Sequence, residues 1–149
     1  MATLNLNRYP VILTFLLIFG CFLIGMPKSS AAAESIKWYR YDIGIDLAAA
    51  QKKKILVYFY TQWCPYCKKM DREVFSDPAV ISFLNENFIS IKVDMDKQKK
   101  LAVAFNVRGV PANWFLSDKG EKIGNIPGYV RTDMFMKLLK YVHSDGYKE

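Results

Sequence analysis

From Ile36 onward the chain alternates between two apolar rhythms. Short continuous runs rich in β-branched and aromatic residues read as strands: Ile55–Tyr60, Phe88–Val93, Ala112–Leu116 and Lys122–Ile126, with Ile36–Tyr41 as a first edge strand. Between them apolar residues recur at helical spacing. Ile43, Leu47 and Ala50 predict a helix over 43–53, and a second helix begins at Cys64 and carries Met70 and Val74. Ser76, Asp77 and Pro78 supply a fresh N-cap with proline at the first helical position, restarting a helix to about Asn85. Leu101–Phe105 belongs to a short helix ending near Asn106. Thr132 is expected to cap a closing amphipathic helix through Phe135, Leu138, Leu139 and Val142. Ser117–Gly120 is a hairpin-type turn between the last two strands. The order is βαβαβαββα, without repeats or low-complexity segments.

The first third has a different pattern. Arg8 precedes an uncharged stretch from Tyr9 to Pro27, and Ala31 and Ala33 stand just before Glu34. A basic start, an apolar core and an Ala-x-Ala ending read as a secretory signal peptide over 1–33, leaving a single domain of 34–149. The alternative is an uncleaved membrane anchor, since the apolar run approaches the roughly 20 residues that span a bilayer. A lipid-anchor site at Cys21 fits poorly, because Phe19 is bulky and the apolar run continues past it. The expected location is therefore periplasmic or secreted, or anchored to the inner membrane facing the periplasm. Removing the leader takes away Arg8 and Lys28 and lowers the net charge of +7 by two. What remains comes largely from Lys52–Lys54 and the lysines between 97 and 100, which read as solvated faces. Nucleic acid is not an expected partner of an exported domain, and contact with a membrane is expected only through an uncleaved leader.

Candidate chemistry lies where the central strand meets the second helix. Cys64 and Cys67 are two residues apart, and Pro65 suits the first turn of a helix because it has no N–H to leave unpaired. Cys64 therefore falls at a helix N-terminus, where a thiolate is favoured and reactive, with its pKa expected below the ordinary 8.5 or so. It is the thiol expected to be accessible, and Cys67, one turn in, the less exposed one. A structural zinc site needs four ligands; outside the leader there is no third cysteine, and the only histidine is His143, expected to be a solvated or capping residue. A c-type haem would need histidine at position 68, which is lysine. A structural disulfide closing so small a loop would restrain the unfolded chain little. The pair reads as a redox dithiol that forms and resolves mixed disulfides, and no cofactor or metal is implied. The competing reading is a non-catalytic module holding a client or a soft metal ion; the lack of Met or His ligands at binding spacing disfavours the metal version.

The segment Ile55 to Lys68, strand, Trp63, Cys64-Pro65-Tyr66-Cys67 and helix, resembles the active-site segment of the thioredoxin superfamily. The Pro-Tyr interior is the one glutaredoxins commonly use, while Trp63 and Lys68 look like thioredoxin. Val74–Val80 is similar to the C-terminal thioredoxin-like domain of the bacterial transmembrane thiol reductase DsbD, and to related secreted proteins. The resemblance runs from about Ile36 to Val142. It implies an α/β thioredoxin-like fold, a central mixed sheet with helices on both faces. It also implies a thiol–disulfide oxidoreductase acting on partner proteins with disulfides or thiols, in a reducing direction, fed by a membrane electron donor; an oxidant or isomerase is the alternative. Gly109-Val110-Pro111 ahead of a strand looks like the family's cis-proline loop, which implies that the Val110 backbone pairs with an extended partner segment. Trp63, Tyr66 and Trp114 are expected near the site, the first two as an apolar platform; Phe59, Phe88, Phe105 and Phe115 read as core. Typical thioredoxins carry a buried Asp where Tyr58 stands. Asp71, four residues after Cys67 and an acid at the spacing of the DsbD-type domain, is the candidate to take over its proton transfer. The alternative for Asp71 is a surface charge paired with Lys68.

Overall fold

The computed structural model describes residues 35–148, so the leader expected over 1–33 lies outside the described residues. Five strands form one mixed sheet: β1 (Trp38–Tyr39), β2 (Lys54–Tyr60), β3 (Phe88–Asp94), β4 (Ala112–Leu116) and β5 (Lys122–Pro127). Their spatial order is β1-β3-β2-β4-β5. β2 lies parallel to β3 and antiparallel to β4, which places it at the centre with hydrogen-bonded neighbours on both sides. That position explains its continuous apolar sequence, since both of its faces are covered. Five helices flank the sheet: α1 (Tyr41–Gln51), α2 (Pro65–Glu73), α3 (Pro78–Asn87), α4 (Lys99–Ala104) and α5 (Thr132–His143). Among the described residues, no helix is long and apolar enough to cross a membrane.

Strand alternation sorts the core into two layers. Leu56, Tyr58, Phe88 and Phe115 face α2, α3 and α5, meeting Met70, Val74, Leu84, Phe135 and Leu139. Ile55, Val57, Phe59, Ile91 and Val93 face α1 and α4, meeting Ala48 and Ala102. The four phenylalanines read as core are all buried. α1 sits close enough to β3 that a Cβ on Gly44 would lie 2.4 Å from Cγ1 of Ile91. Asp77 caps α3 as expected, its Oδ1 accepting from the N–H groups of Ala79 (2.9 Å) and Val80 (3.2 Å).

Three expectations change. The first strand is only Trp38–Tyr39, because Arg40 is already the N-cap of α1 and Tyr41 its first residue. Thr132 is the first residue of α5 rather than its cap; Arg131 holds that position, and the Thr132 hydroxyl donates instead to the Glu73 carbonyl at 2.9 Å. Trp114 lies away from the dithiol. Its neighbours Asn113 and Phe115 point to the α2 side, so alternation sends Trp114 to the other face, where its ring sits 5.5 Å from that of Phe105.

Candidate active site

The site is built at the C-terminal end of β2. After Tyr60 the chain turns, with the Cys64 N–H donating to the Thr61 carbonyl at 3.4 Å, and Cys64 becomes the N-cap of α2 with Pro65 at the first helical position. Cys64 Sγ takes the part a capping oxygen would play, accepting from the Cys67 N–H at 3.2 Å. On its other side the Cys64 thiol donates to the Val110 carbonyl at 3.6 Å. The Val110–Pro111 peptide is cis. Cys64, Cys67, Pro65, Val110 and Pro111 are thus brought together.

Both thiols are free and buried, Cys64 at 3% and Cys67 at 1% exposure. The expected contrast in accessibility is absent, because Cys64 Sγ turns inward to cap the helix and the Val110 carbonyl closes over it. Burial, then the hydrogen bond with Cys64, pushes the Cys67 thiol up to about 12, against a hydrogen bond from the Thr61 backbone that lowers it. Trp63 and Tyr66, at 68% and 61% exposure, stand out as large apolar surfaces beside these buried sulfurs. Trp63 is held by its indole N–H, which donates to Asp96 Oδ2 at 2.9 Å. Asp96 sits in the turn after β3, whose Met95 N–H donates to the Tyr60 carbonyl at 2.9 Å. A groove of about 320 Å³ runs beside the proline loop, lined by Arg108 to Ala112 and by Asn125 and Pro127.

Beneath α2, Tyr58 is completely buried, and its hydroxyl donates to the Cys67 carbonyl at 3.3 Å. Burial, followed by the charge of Asp71 and contact with Cys67, raises the phenol far above the ordinary tyrosine range. Asp71 is half-buried and paired in a bidentate fashion to Lys92 of β3, at 2.9 and 3.1 Å. Its partner is therefore Lys92 and not Lys68, which lies on its own helix. The Lys92 ammonium also lies over the rings of Tyr60 (4.6 Å), Tyr58 (5.3 Å) and Trp38 (5.5 Å). Asn113, opposite Tyr58 on β4, is fully buried; its Nδ2 reaches Met70 Sδ at 3.7 Å, and its Oδ1 has no hydrogen-bond partner among the described residues. His143 is exposed at the end of α5, its ring 5.7 Å from that of Phe83. Among the described residues no three His, Cys, Asp or Glu side chains gather where they could hold a metal.

Sequence reasoning missed Lys92, Asp96 and Asn113. A lysine inside the apolar run Phe88–Val93 and an asparagine inside Ala112–Leu116 were the signals available. Nothing local in the sequence marks Asp96 as the support of Trp63.

Comparisons with known proteins agree with this geometry. The thioredoxin-like domain family matches residues 41–143. The thiol:disulfide interchange protein DsbD of Actinobacillus pleuropneumoniae is 30% identical over 99 residues, 62% of this chain and 17% of that protein. DsbD of Haemophilus influenzae is 29% identical over 124 residues, 79% of this chain and 21% of that protein. The chain thus spans about a fifth of the length of these curated relatives. A thioredoxin from Thermus thermophilus superposes with a TM-score of 0.67 at 34% identity, covering 72% of this chain and 87% of its own. The DsbH oxidoreductase shares the fold, with a TM-score of 0.66 at 18% identity over 81% of this chain and 92% of its own.

Proposed function

The chain belongs to the thioredoxin-like domain family, and from that premise we propose that it is a thiol–disulfide oxidoreductase working outside the cytoplasm as a reductase of protein disulfides. The observation that carries the proposal is the setting of Cys64 Sγ. It caps α2 between the Cys67 N–H and the Val110 carbonyl, beside the exposed Trp63 and Tyr66.

In this reading an extended partner segment pairs with the Val110 backbone beside Pro111 and rests on Trp63 and Tyr66. The Cys64 thiolate attacks one sulfur of the partner disulfide, the partner S–S bond breaks, and its other sulfur leaves with the electron pair and takes up a proton. The N–H of Cys67 and the α2 terminus stabilise the attacking thiolate, and Pro65 fixes the first turn that aims them. Cys67 then loses its proton, with Asp71 one turn further along α2 as the proposed acceptor, and attacks Cys64 Sγ. The Cys64–Cys67 bond forms and the second partner thiol departs, so two electrons have passed from the dithiol to the partner.

The similarity to DsbD supports the reducing direction and a membrane electron donor that restores the dithiol. Equilibration with glutathione tests the direction. A potential towards the thioredoxin end of the family range, near −270 mV, is expected, and one near −120 mV would make the protein an oxidant. The leader supports export with cleavage before Glu34. Mass spectrometry of the protein from a membrane-free extract should find that N-terminus, whereas an intact chain confined to membranes would mean an anchor.

A further inference from the structure

Tyr58 carries a hydroxyl into a layer where phenylalanine would fill nearly the same space. The side chain is completely buried, with the ring of Phe75 at 4.7 Å, Tyr60 at 5.8 Å and Trp38 at 5.9 Å. A hydroxyl in such surroundings is costly unless it is bonded. Its partner is Cys67: the oxygen lies 3.3 Å from the Cys67 carbonyl, and while burial raises the Cys67 thiol, contact with Tyr58 acts on it in the opposite, lowering direction. That carbonyl, in the interior of α2, already accepts from the N–H four residues on, as an interior helical carbonyl does. The phenol bond to it is therefore a second one, and long. A hydroxyl proton turns about its C–O bond at little cost while the oxygen stays where the packed ring holds it.

We propose that Tyr58 is a catalytic residue of the resolving step, its hydroxyl turning from the Cys67 carbonyl to donate a hydrogen bond to Cys67 Sγ as the thiolate forms. This rests on the dithiol reading above. The Cys67 proton leaves towards Asp71, the thiolate attacks Cys64 Sγ, the Cys64–Cys67 bond forms, and the bond from Cys64 to the partner sulfur breaks. The departing sulfur keeps the electron pair and takes up a proton. Tyr58 keeps its own proton throughout. Burial and the nearby Asp71 charge hold the phenol far above the ordinary range, so it serves as a donor and not as a base. Because ring and helix are fixed before the reaction, the donor needs no reorganisation when charge appears on sulfur.

The groups that bear on these two residues come from every side. α2 supplies Asp71 and, at its cap, Cys64; β3 supplies Lys92, 5.3 Å from the Tyr58 ring; β2 supplies Tyr60; β4 supplies the uncharged Asn113. Burial, then the Asp71 charge, raises Tyr58; burial, then Cys64, raises Cys67, against lowering contacts from Thr61 and Tyr58. Tyr58 thus stands between Lys92, whose ammonium lies over its ring, and Cys67, whose carbonyl its hydroxyl meets.

The test is Tyr58→Phe in the full chain carrying Cys21→Ser, with Cys64 preloaded as its mixed disulfide with thionitrobenzoate. Release of the coloured thiol reports the attack by Cys67 alone. Loss of a hydrogen bond to a charged group predicts release about ten- to a hundred-fold slower, with its pH profile displaced upward by about one to two units. Attack by Cys64 on the free reagent should slow far less. Release rates equal to those of the parent across the pH range would overturn the proposal, as would equal slowing of both steps, which marks damaged packing. A parent chain whose mixed disulfide never releases its thiol would instead bring down the dithiol reading itself.

Discussion

As the solution turns alkaline, the first group to cost the reduced protein stability should be Cys67. Its thiol is pushed up to about 12 by burial and by the hydrogen bond with Cys64, whereas in the unfolded chain it returns to about 8.5. Below the unfolded value both states hold the proton, and the stabilisation is fully present. Above it the unfolded chain gives up the proton while the folded one retains it, so stability falls by about 1.36 kcal/mol per pH unit until the folded thiol itself ionises. By about pH 10 the loss is about 2 kcal/mol, a large part of the 5–15 kcal/mol that holds a typical domain together. Urea melts of the reduced protein and of its Cys67→Ala variant, at about pH 8 and about pH 10, isolate this term, since the tyrosines and lysines are common to both. The parent should lose about 2 kcal/mol more than the variant over that interval. Parallel loss in the two proteins would refute the reasoning and show that Cys67 is no harder to ionise in the fold than out of it.

The remaining predictions concern single substitutions. Cys67→Ser should accumulate mixed disulfides with partner proteins on non-reducing gels, and Cys64→Ser should not; the reverse pattern would exchange the two roles. Asp71→Asn should slow release of the partner about ten-fold or more while affecting the first attack far less, as read by stopped-flow kinetics; equal rates would make Asp71 a surface charge that only pairs with Lys92. Gly44→Ala adds a Cβ 2.4 Å from Ile91 Cγ1 and 2.5 Å from its Cδ1. Overpacking of about 1–3 kcal/mol should outweigh the gain of about 1 kcal/mol in helix propensity, so denaturant melts should show net destabilisation; a variant as stable as the parent would mean that Ile91 yields freely.

What was legible in the sequence was local. The apolar run of β2, the turn, the cysteine spacing and Pro65 at the start of α2 follow one another within a few residues, and each constrains the next. Asp77 and Pro78 announce α3 for the same reason. What was not legible depends on which strands lie side by side. Lys92 reaches Asp71 across 21 positions, and Trp63 reaches Asp96 across 33; neither pairing exists until β2 and β3 lie parallel in register. Trp114 was misplaced by a similar gap. Alternation puts it opposite Asn113 and Phe115, but only the assembled sheet decides which of those faces looks toward α2. Thr132 shows how a good capping residue is diverted when a better acceptor, here the Glu73 carbonyl, is brought near by the fold.

Burial of a thiol ordinarily counts against a role in attack, yet the groups that bury Cys64 argue otherwise. One contact is the Cys67 N–H, which stabilises a thiolate more than a thiol and so gains strength as the sulfur ionises. The other is the Val110 carbonyl, an acceptor that suits the protonated sulfur and repels the charged one. Ionisation therefore weakens the contact on the loop side while strengthening the one on the helix side. On the proposed reading, the carbonyl that the thiolate gives up is the same group with which an extended partner segment pairs. Partner binding and thiolate formation then favour each other, because each removes the Val110 carbonyl from the other's way. Trp63, held by Asp96, and Tyr66 are exposed beside it and keep the approach to the sulfur apolar. Cys67 has no such exchange available: its neighbours are protein on every side, so it must be activated from within the fold, and Tyr58 is the donor placed to do so.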